Sequence, residues 1–251
     1  MLSETNKKSQ SEWLLDSESM PATMPKFATW KRAICLAIGC SFTLTLIAVI
    51  VALALNHLGE LDRESAENFI AYSVIFFGLL AVVGNDIPVF IKLFKRWQPY
   101  VVGLGIAVGV IFFDNVYSTI INLFYPYVET SGNEIGIRDI IGAYPAISFF
   151  VFGFIGPMCE ELAYRVGLFG LCRKVNRVFA YCITGLIFGL IHFDYTSADI
   201  LAEFLFLPSY IVPGLLFSLA YDLYGLPCSF TAHSINNVYA VVMTIMRNYI
   251  K

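Results

Sequence analysis

Seven apolar runs of roughly helix length dominate this sequence and set the first limit on its fold. They occupy residues 33–55, 69–91, 100–124, 143–171, 178–194, 203–222 and 227–247. About 20 apolar residues cross the hydrocarbon core of a bilayer as an α-helix, and every backbone polar group must find a partner there. The sequence therefore predicts an all-α fold, a polytopic transmembrane helical bundle of about seven spans. Six or eight spans stay open because the run 178–194 is short.

The composition supports a membrane location. Of the 251 residues, 58% are hydrophobic and only 14% are charged, and the mean hydropathy is +0.71. A soluble domain carries about 25% charged residues. The net charge of −3 offers no strongly basic surface for a nucleic acid. We therefore expect a multi-pass protein of the cell membrane that has membrane lipid, and no nucleic acid, as a partner.

Polar segments divide the chain into three parts. Residues 1–30 are predicted to form a polar N-terminal tail. Residues 31–130 are predicted to hold the first three transmembrane helices. Residues 131–251 follow as a second helical part, which carries most of the charged and polar residues found inside apolar runs.

Basic residues predict the orientation of the chain in the membrane. They cluster before the first run, after the second and after the fourth, as Lys7, Lys8, Lys26, Lys31, Arg32, Lys92, Lys95, Arg96, Arg173, Lys174 and Arg177. Cytoplasmic loops carry the excess of Lys and Arg, so the N-terminus is expected in the cytoplasm. The C-terminal topology stays open, because Pro208 and Pro213 could break the sixth run into a partial pass.

The stretch "PMCEELAYR" places Glu160, Glu161 and Arg165 inside the fourth run. Each charge at the centre of a bilayer costs at least about 2.5–3.5 kcal/mol. Residues four apart share a helix face, so Glu161 can pair with Arg165. Glu160 lies about 100° around the helix from Glu161 and can face another neighbour. One interpretation is a purely structural ionic knot. The interpretation that we favour is that Glu160 stays unpaired for function.

Two histidines lie in later apolar runs. His192 belongs to "GLIFGLIHFD", and His233 belongs to "CSFTAHSINN", where Asn236 and Asn237 follow at helical spacing. A glutamate and a histidine can position and deprotonate water, and His233 with Asn237 can donate hydrogen bonds to a developing oxyanion. Glu160, His192 and His233 could instead hold a divalent metal such as zinc, although no HExxH motif is present. The residues favour an intramembrane hydrolase and leave the cofactor open.

Three short motifs occur in order in the second half of the chain. "CEELAYR" fits EExxxR, "FGLIH" (Phe188 to His192) fits FxxxH, and "HSINN" (His233 to Asn237) fits HxxxN. This order resembles the CPBP family, the CAAX protease and bacteriocin-processing membrane enzymes, also called the Abi family. Its eukaryotic relatives are the type II CAAX prenyl endopeptidases. The resemblance covers residues 145–245 and marks 131–251 as a CPBP-like catalytic helical core.

The resemblance implies a membrane endopeptidase of the glutamic, metalloprotease-like type that uses no nucleophilic side chain. Glu160 would be the glutamate that activates water, and His192 would assist it. His233 and Asn237 would form the oxyanion site. Whether a metal takes part is left open by the resemblance.

Four further residues would support this site. Glu161 would pair with Arg165 to hold the helix, Phe188 would shape the pocket, and Asn236 lies beside the site but outside the family pattern. The resemblance implies a peptide or lipidated protein as the substrate without identifying it, and the oligomeric state is left open. The alternative is a non-enzymatic immunity or scaffold protein of the same fold.

Small residues in the apolar runs are interpreted as packing elements. The six cysteines lie in or beside the runs without metal-like spacing and are expected to pack between helices. Gly185 and Gly189 form a small-xxx-small pair, which predicts close contact with a neighbouring helix.

Overall fold

The fold is helical throughout the part of the chain that is described. The computed structural model describes residues 30–128 and 130–249, so the predicted tail lies outside the described residues except for its last position. Within these ranges there are ten helices and no strand, which confirms the all-α prediction. The helices are α1 Trp30–Ala54, α2 Glu60–Val82, α3 Ile87–Phe94, α4 Gln98–Phe124, α5 Gly132–Ala143, α6 Pro145–Cys172, α7 Arg177–Leu190, α8 Ile200–Phe206, α9 Pro208–Tyr224 and α10 Leu226–Tyr249.

Four helical segments are long and apolar enough to cross a membrane. They are α2, α4, α6 and the joined pair α8 and α9, which together run from Ile200 to Tyr224. The helix α7 is apolar but shorter. The described residues therefore form a bundle of the membrane type, and the count of seven spans stays a prediction.

The helix α2 differs from the predicted run 69–91 at both ends. It begins at Glu60 and ends at Val82. Acidic residues favour the first turn of a helix because they face the positive end of its dipole. They also lower the local hydropathy, so the apolar run predicts a later start than the helix has. A 3₁₀ turn at Gly84–Asp86 and the new helix α3, with Pro88 in its first turn, end the run earlier than predicted.

Proline does not shorten the sixth run. Pro208 starts α9 directly after α8, where its missing N–H is not needed, and Pro213 is accommodated inside α9. Gly225 ends that helix with φ of 75°, a left-handed conformation that glycine adopts without strain. The segment Ile200–Tyr224 therefore stays long and apolar enough to cross a membrane in spite of both prolines.

The two ends of the bundle can be assigned from side-chain positions. Glu60 of α2, Arg138 of α5 and Arg247 of α10 line one cavity of about 930 Å³. The end of α6 contacts α1, and α10 contacts α3, at the opposite end. The C-terminal end of α10 therefore lies at the same end of the bundle as the start of α2.

The central helix α6 is the most buried of the four long apolar segments. It is not a regular α-helix, because Val151–Ile155 and Glu161–Phe169 are π-helical. Such widened turns are rare and often occur at functional sites. They lie on either side of Glu160, which ends the short α-helical stretch Gly156–Glu160.

The predicted close packing at Gly185 and Gly189 is confirmed. A Cβ atom added at Gly185 would lie 2.6 Å from the Leu215 side chain, and one at Gly189 would lie 2.4 Å from the Ile211 side chain. Both contacts are with α9. This packing holds the end of α7, and therefore His192, against the middle of the bundle.

Of the six cysteines, three follow their predicted role, two do not, and the side chain of Cys40 lies outside what the structure describes. Cys159, Cys172 and Cys228 are buried between helices, whereas Cys35 and Cys182 are exposed on the outer surface. An exposed thiol on an apolar helix can face lipid, where a small apolar side chain is also tolerated.

Candidate active site

Glu161 lies at the centre of a buried network. Its side chain is 0% exposed, and Oε1 lies 3.1 Å from Nη1 of Arg165. The same oxygen lies 2.8 Å from Nδ1 of His233. Because a carboxylate oxygen can only accept, Nδ1 of His233 carries the proton of this bond. Glu161 therefore orients His233 as well as pairing with Arg165.

Arg165 is fixed by further contacts around its guanidinium group. Its Nη2 donates a hydrogen bond of 3.2 Å to the carbonyl oxygen of Gly214. Its Cζ lies 4.4 Å from the ring centroid of Phe188 and 5.3 Å from that of Phe217. Aromatic faces stabilise a cation most where water is excluded. The guanidinium is thus held by one carboxylate, one carbonyl and two rings.

Glu160 has a different environment from its neighbour in sequence. Its Oε1 accepts a hydrogen bond of 3.1 Å from the hydroxyl of Tyr72. Its Oε2 is buried and has no hydrogen-bond partner among the described residues, and the nearest basic atom is Nε2 of His233 at 3.8 Å. That distance exceeds a direct hydrogen bond. One oxygen of Glu160 is thus left available to an additional donor.

The ring of His233 is enclosed by aromatic side chains. It stacks on Phe217 with centroids 4.5 Å apart and an interplanar angle of 17°. Phe188 approaches it edge-on at 5.8 Å. With Nδ1 bound to Glu161 and the ring face covered, Nε2 is the atom of His233 directed toward Glu160.

His192 lies just beyond the C-terminal end of α7. Its Nδ1 lies 2.7 Å from the carbonyl oxygen of Phe188, which can only accept, so Nδ1 carries the proton and Nε2 keeps its lone pair. The ring lies 4.8 Å from Phe188 and stacks on Tyr210. It is also within electrostatic range of Glu160. Phe188 thus lies between the two histidines.

The two asparagines of α10 are engaged by neighbours. Nδ2 of Asn237 donates a hydrogen bond of 3.0 Å to the carbonyl oxygen of Phe152, in the first π-helical stretch of α6. Nδ2 of Asn236 lies 3.5 Å from Oδ1 of Asn237. Since a side-chain amide has two hydrogens on nitrogen, Asn237 keeps one N–H beyond the bond to Phe152.

The structure therefore gathers the motif residues of α6, α7 and α10 around one point. Glu160, Glu161 and Arg165 come from α6, Phe188 and His192 from the end of α7, and His233, Asn236 and Asn237 from α10. The shortest link between motifs is the bond between Glu161 and His233. His192 joins the group through ring contacts with Phe188 rather than through a direct hydrogen bond to Glu160.

Comparisons with known proteins agree with the three motifs. Residues 142–239 match the model of the family described as type II CAAX prenyl endopeptidase Rce1-like. This segment is Rce1-like. The family resemblance predicted from the motifs is confirmed.

Similar proteins occur in several bacteria. The chain is 34% identical over 125 residues to the membrane-embedded CAAX protease MroQ of Staphylococcus aureus, a match that covers 47% of this chain and 46% of MroQ. It is 30% identical over 130 residues to YdiL of Bacillus subtilis, covering 48% and 47%. It is 28% identical over 172 residues to an uncharacterized protein of Mycoplasma capricolum, covering 64% and 49%.

The chain spans about half the length of these curated relatives. No solved structure is significantly similar to it. All residues of the three motifs fall inside the Rce1-like segment.

Two aromatic residues of the site were not predicted from the sequence. Tyr72 comes from α2, outside the Rce1-like segment, and reaches Glu160. Tyr210 comes from α9 and covers the ring of His192. Aromatic residues make up 16% of the chain, so neither tyrosine stood out. A hydroxyl-bearing ring inside a predicted span was the available signal.

The residues present do not form a three-ligand metal site. Within residues 30–128 and 130–249, no group of three His, Cys, Asp or Glu side chains has the arrangement of metal ligands. Glu160 and His233 approach each other, but His192 does not complete the set that a catalytic zinc requires. The alternative ligand group Glu160, His192 and His233 is therefore not assembled in this arrangement.

Proposed function

We propose that this protein is a membrane-embedded endopeptidase in which Glu160 activates water for the hydrolysis of a peptide bond. The observation that carries the proposal is the contrast between two adjacent glutamates. Both glutamates have a buried Oε2 without a hydrogen-bond partner among the described residues. Oε1 of Glu161, however, is bound to Arg165 and His233, whereas Glu160 accepts from the neutral hydroxyl of Tyr72 and has Nε2 of His233 only at 3.8 Å. Leaving a buried acceptor unpaired is costly, and an intramembrane carboxylate in that state is a functional candidate.

The proposed reaction begins with a water molecule that donates a hydrogen bond to Oε2 of Glu160. Glu160 takes a proton from this water while the water oxygen attacks the carbonyl carbon of the peptide. The proton then passes to the leaving amine as the C–N bond breaks, and Glu160 returns to its carboxylate form. The lone pair on Nε2 of His192, set by its bond to Phe188, gives a second acceptor for orienting the water.

The tetrahedral intermediate carries a negative oxygen that needs donors in place. The second N–H of Asn237 and a proton on Nε2 of His233 are the proposed donors. Glu161 would support that proton, because its carboxylate holds the opposite nitrogen of the same ring. Tyr72 would keep Glu160 in position through Oε1.

The proposed substrate is a peptide bond in a membrane-associated protein or peptide, with or without a lipid attached. The name of MroQ, a membrane-embedded CAAX protease, and the Rce1-like segment support this class. The site lies among apolar helices, so a substrate held at the membrane would meet it at high local concentration.

We further propose that the N-terminus lies in the cytoplasm. One end of the bundle carries four basic residues, which are Lys92 of α3, Lys95 and Arg96 directly after it, and Lys174 after α6. The opposite end carries three, Arg63, Arg138 and Arg247. Cytoplasmic ends carry the excess of Lys and Arg. With this orientation the C-terminal end of α10 faces the opposite side of the membrane.

The experiment that tests the activity compares peptide termini in cells that carry the wild type, a deletion, or Glu160→Gln. Quantitative proteomics of membrane and secreted peptides would reveal a new terminus that appears only with the wild type. Such a terminus would both support proteolysis and identify the substrate. Glu67→Gln, which removes a carboxylate from α2 that pairs with Arg63 at 3.6 Å, is the matched control and should cleave as the wild type does.

Two outcomes would contradict the proposal. One is a Glu160→Gln strain that produces the same termini as the wild type. The other is a deletion strain whose defect is corrected by Glu160→Gln as fully as by the wild type, with identical peptide termini in all strains. This is the result expected of a scaffold or immunity protein.

A further inference from the structure

His192 sits in a turn rather than in a helix, so its ring must be held by other elements. The helix α7 ends at Leu190, and the chain then turns toward α8. The bond from Nδ1 to the carbonyl of Phe188 fixes one edge of the ring, but it leaves the ring free to swing about that bond. A second contact is needed to define the direction of Nε2.

Tyr210 supplies that second contact. Its ring lies 4.7 Å from the ring of His192, with an interplanar angle of 11°, so the two rings are nearly parallel. Stacked rings of this kind restrict rotation because any tilt loses contact area. The contact covers one face of the imidazole.

The hydroxyl of Tyr210 is itself anchored to another helix. It lies 2.8 Å from Oγ of Ser131 and 3.4 Å from Nδ2 of Asn133. Asn133 lies in the first turn of α5, and Ser131 is the N-cap residue of that helix, where its Oγ accepts from the N–H of Glu134 at 3.4 Å. Tyr210 thus connects the histidine ring to a short helix that lies outside the long apolar segments.

Glu203 ties the backbone next to His192 to the same turn of α5. Its Oε1 accepts from the N–H of Gly132 at 2.6 Å, and its Oε2 accepts from the N–H of Asp194 at 3.0 Å. The side chain is only 2% exposed, and bonds to a buried charge are among the stronger ones. The start of α5 therefore holds both the ring of His192 and the chain that follows it.

We propose that Tyr210 is a positioning residue for His192, holding the imidazole by ring stacking while Ser131 and Asn133 anchor the tyrosine hydroxyl. This inference rests on the proposed function, because it assigns Tyr210 a role in directing Nε2 of His192 toward the reacting water. Tyr210 acts through His192 and does not itself touch the peptide.

The contact can be tested without any substrate. The full-length protein would be labelled with ¹⁵N at its histidine rings, and the signals would be assigned by replacing His57, His192 and His233 one at a time. The wild type should show His192 in a single form, with the proton on Nδ1. Tyr210→Leu, which removes the ring, should give a mixture of both forms, whereas Tyr210→Phe should keep one form.

The activity test uses the peptide identified from the cellular experiment. Tyr210→Leu should lower kcat by about 10- to 100-fold with KM within about twofold, because a misdirected group near the reacting atoms has an effect of this size. Tyr210→Phe should restore most of the rate. Tyr117→Phe is the matched control, since its hydroxyl donates 2.8 Å to the carbonyl of Leu205 between helices. That variant should match the wild type.

A wild-type kcat together with a single His192 form in Tyr210→Leu would overturn the proposal. If that variant does not fold, Tyr210→Met, which also removes the ring but keeps a long apolar side chain, decides the question: a mixture of His192 forms supports positioning by the stacked ring, and a single form with wild-type kcat contradicts it. The two proposals can fail separately. If Tyr210→Leu alters the ring signal of His192 but Glu160→Gln leaves the peptide termini unchanged, the positioning contact is supported and the proposed reaction is rejected.

Discussion

Two buried ionic clusters in this protein use similar residues and differ in how completely they are paired. The glutamate cluster consists of Glu160, Glu161, Arg165 and His233. The Asp222 cluster consists of Asp222, Arg173, Arg177 and Tyr181 and lies where α9 ends. Each cluster combines acidic and basic groups that are almost entirely removed from solvent.

Both oxygens of Asp222 are occupied. Its Oδ2 lies 2.7 Å from Nε of Arg177 and accepts from the Tyr181 hydroxyl at 3.1 Å. Its Oδ1 lies 3.7 Å from Nε of Arg173 and 3.4 Å from Nη2 of Arg177. In the glutamate cluster, Oε2 of Glu160 and Oε2 of Glu161 both lack a hydrogen-bond partner in the described part of the chain, and Glu160 also lacks an arginine partner like the one that Glu161 has in Arg165. The comparison teaches that burial of charge alone does not mark a candidate reactive site, whereas a buried carboxylate without an arginine partner, as in Glu160, is a candidate.

The Asp222 cluster also corrects the simplest interpretation of the basic loop. Arg173 and Arg177 were counted from the sequence as loop charges that set orientation, but both are buried against Asp222. Lys174 between them is exposed. The two arginines therefore tie the end of α6 and the start of α7 to α9 through one shared carboxylate.

Asp222→Asn should have the largest effect on stability. It removes the carboxylate that contacts two buried arginines, and breaking a buried ion pair on one side costs about 3–5 kcal/mol. The free energy of unfolding, measured in mixed micelles against the denaturing detergent fraction, should fall by that amount. Unchanged stability would show that the two clusters do not differ as described.

Replacing Glu161 and Arg165, the ion pair within the glutamate cluster, should lower the cleavage activity and leave the stability almost unchanged. In Glu161→Leu with Arg165→Met, apolar side chains replace both charges, a change that is often neutral for stability. We expect the free energy of unfolding within about 2 kcal/mol of the wild type. Cleavage should fall by about 100-fold, because His233 loses the acceptor for Nδ1 and donates less well to the oxyanion.

The single variant Glu161→Gln is the control for this pair. It leaves Arg165 without its carboxylate and should be less stable than the double variant, as measured by the same unfolding titration. Wild-type cleavage by the double variant would show that Glu161 does not orient His233 for the reaction.

Arg138→Ala should have the smallest effect. Its partner is Glu134, at 2.5 Å, and both side chains are well exposed, at 39% and 42%. An exposed pair on one helix contributes less than about 0.5 kcal/mol. Neither the unfolding midpoint nor the cleavage rate should change measurably. A loss as large as that of Asp222→Asn would contradict the distinction between buried and exposed pairs.

Much of the fold could be predicted because lipid restricts the backbone to helices. The run that became α4 was predicted within two residues at its start and ends where predicted, at Phe124. The errors occurred where a helix is polar or bends. The acidic first turn of α2 hid its start, and α7 ends at Leu190 rather than at residue 194 because His192 already belongs to a turn.

The candidate site was accessible from the sequence only in part. Helical spacing separates Glu160 from Glu161 and brings Glu161 to Arg165, since these relations lie within one helix. The bond from His233 to Glu161, and the contacts of Tyr72 and Tyr210, join different helices and depend on how those helices pack. No local pattern encodes that packing, so these partners required the structure.

The central claim is that the incompletely paired Glu160 performs chemistry while the fully paired Asp222 holds the fold. The most direct measurement is the cleavage rate and the unfolding midpoint of purified Glu160→Gln beside Asp222→Asn, in lipid bilayers, on the peptide found in cells. Glu160→Gln should lose about 100- to 10,000-fold in kcat at an unchanged midpoint, and Asp222→Asn should lower the midpoint while its folded fraction keeps the wild-type kcat. A Glu160→Gln protein that cleaves within tenfold of the wild type would contradict the account.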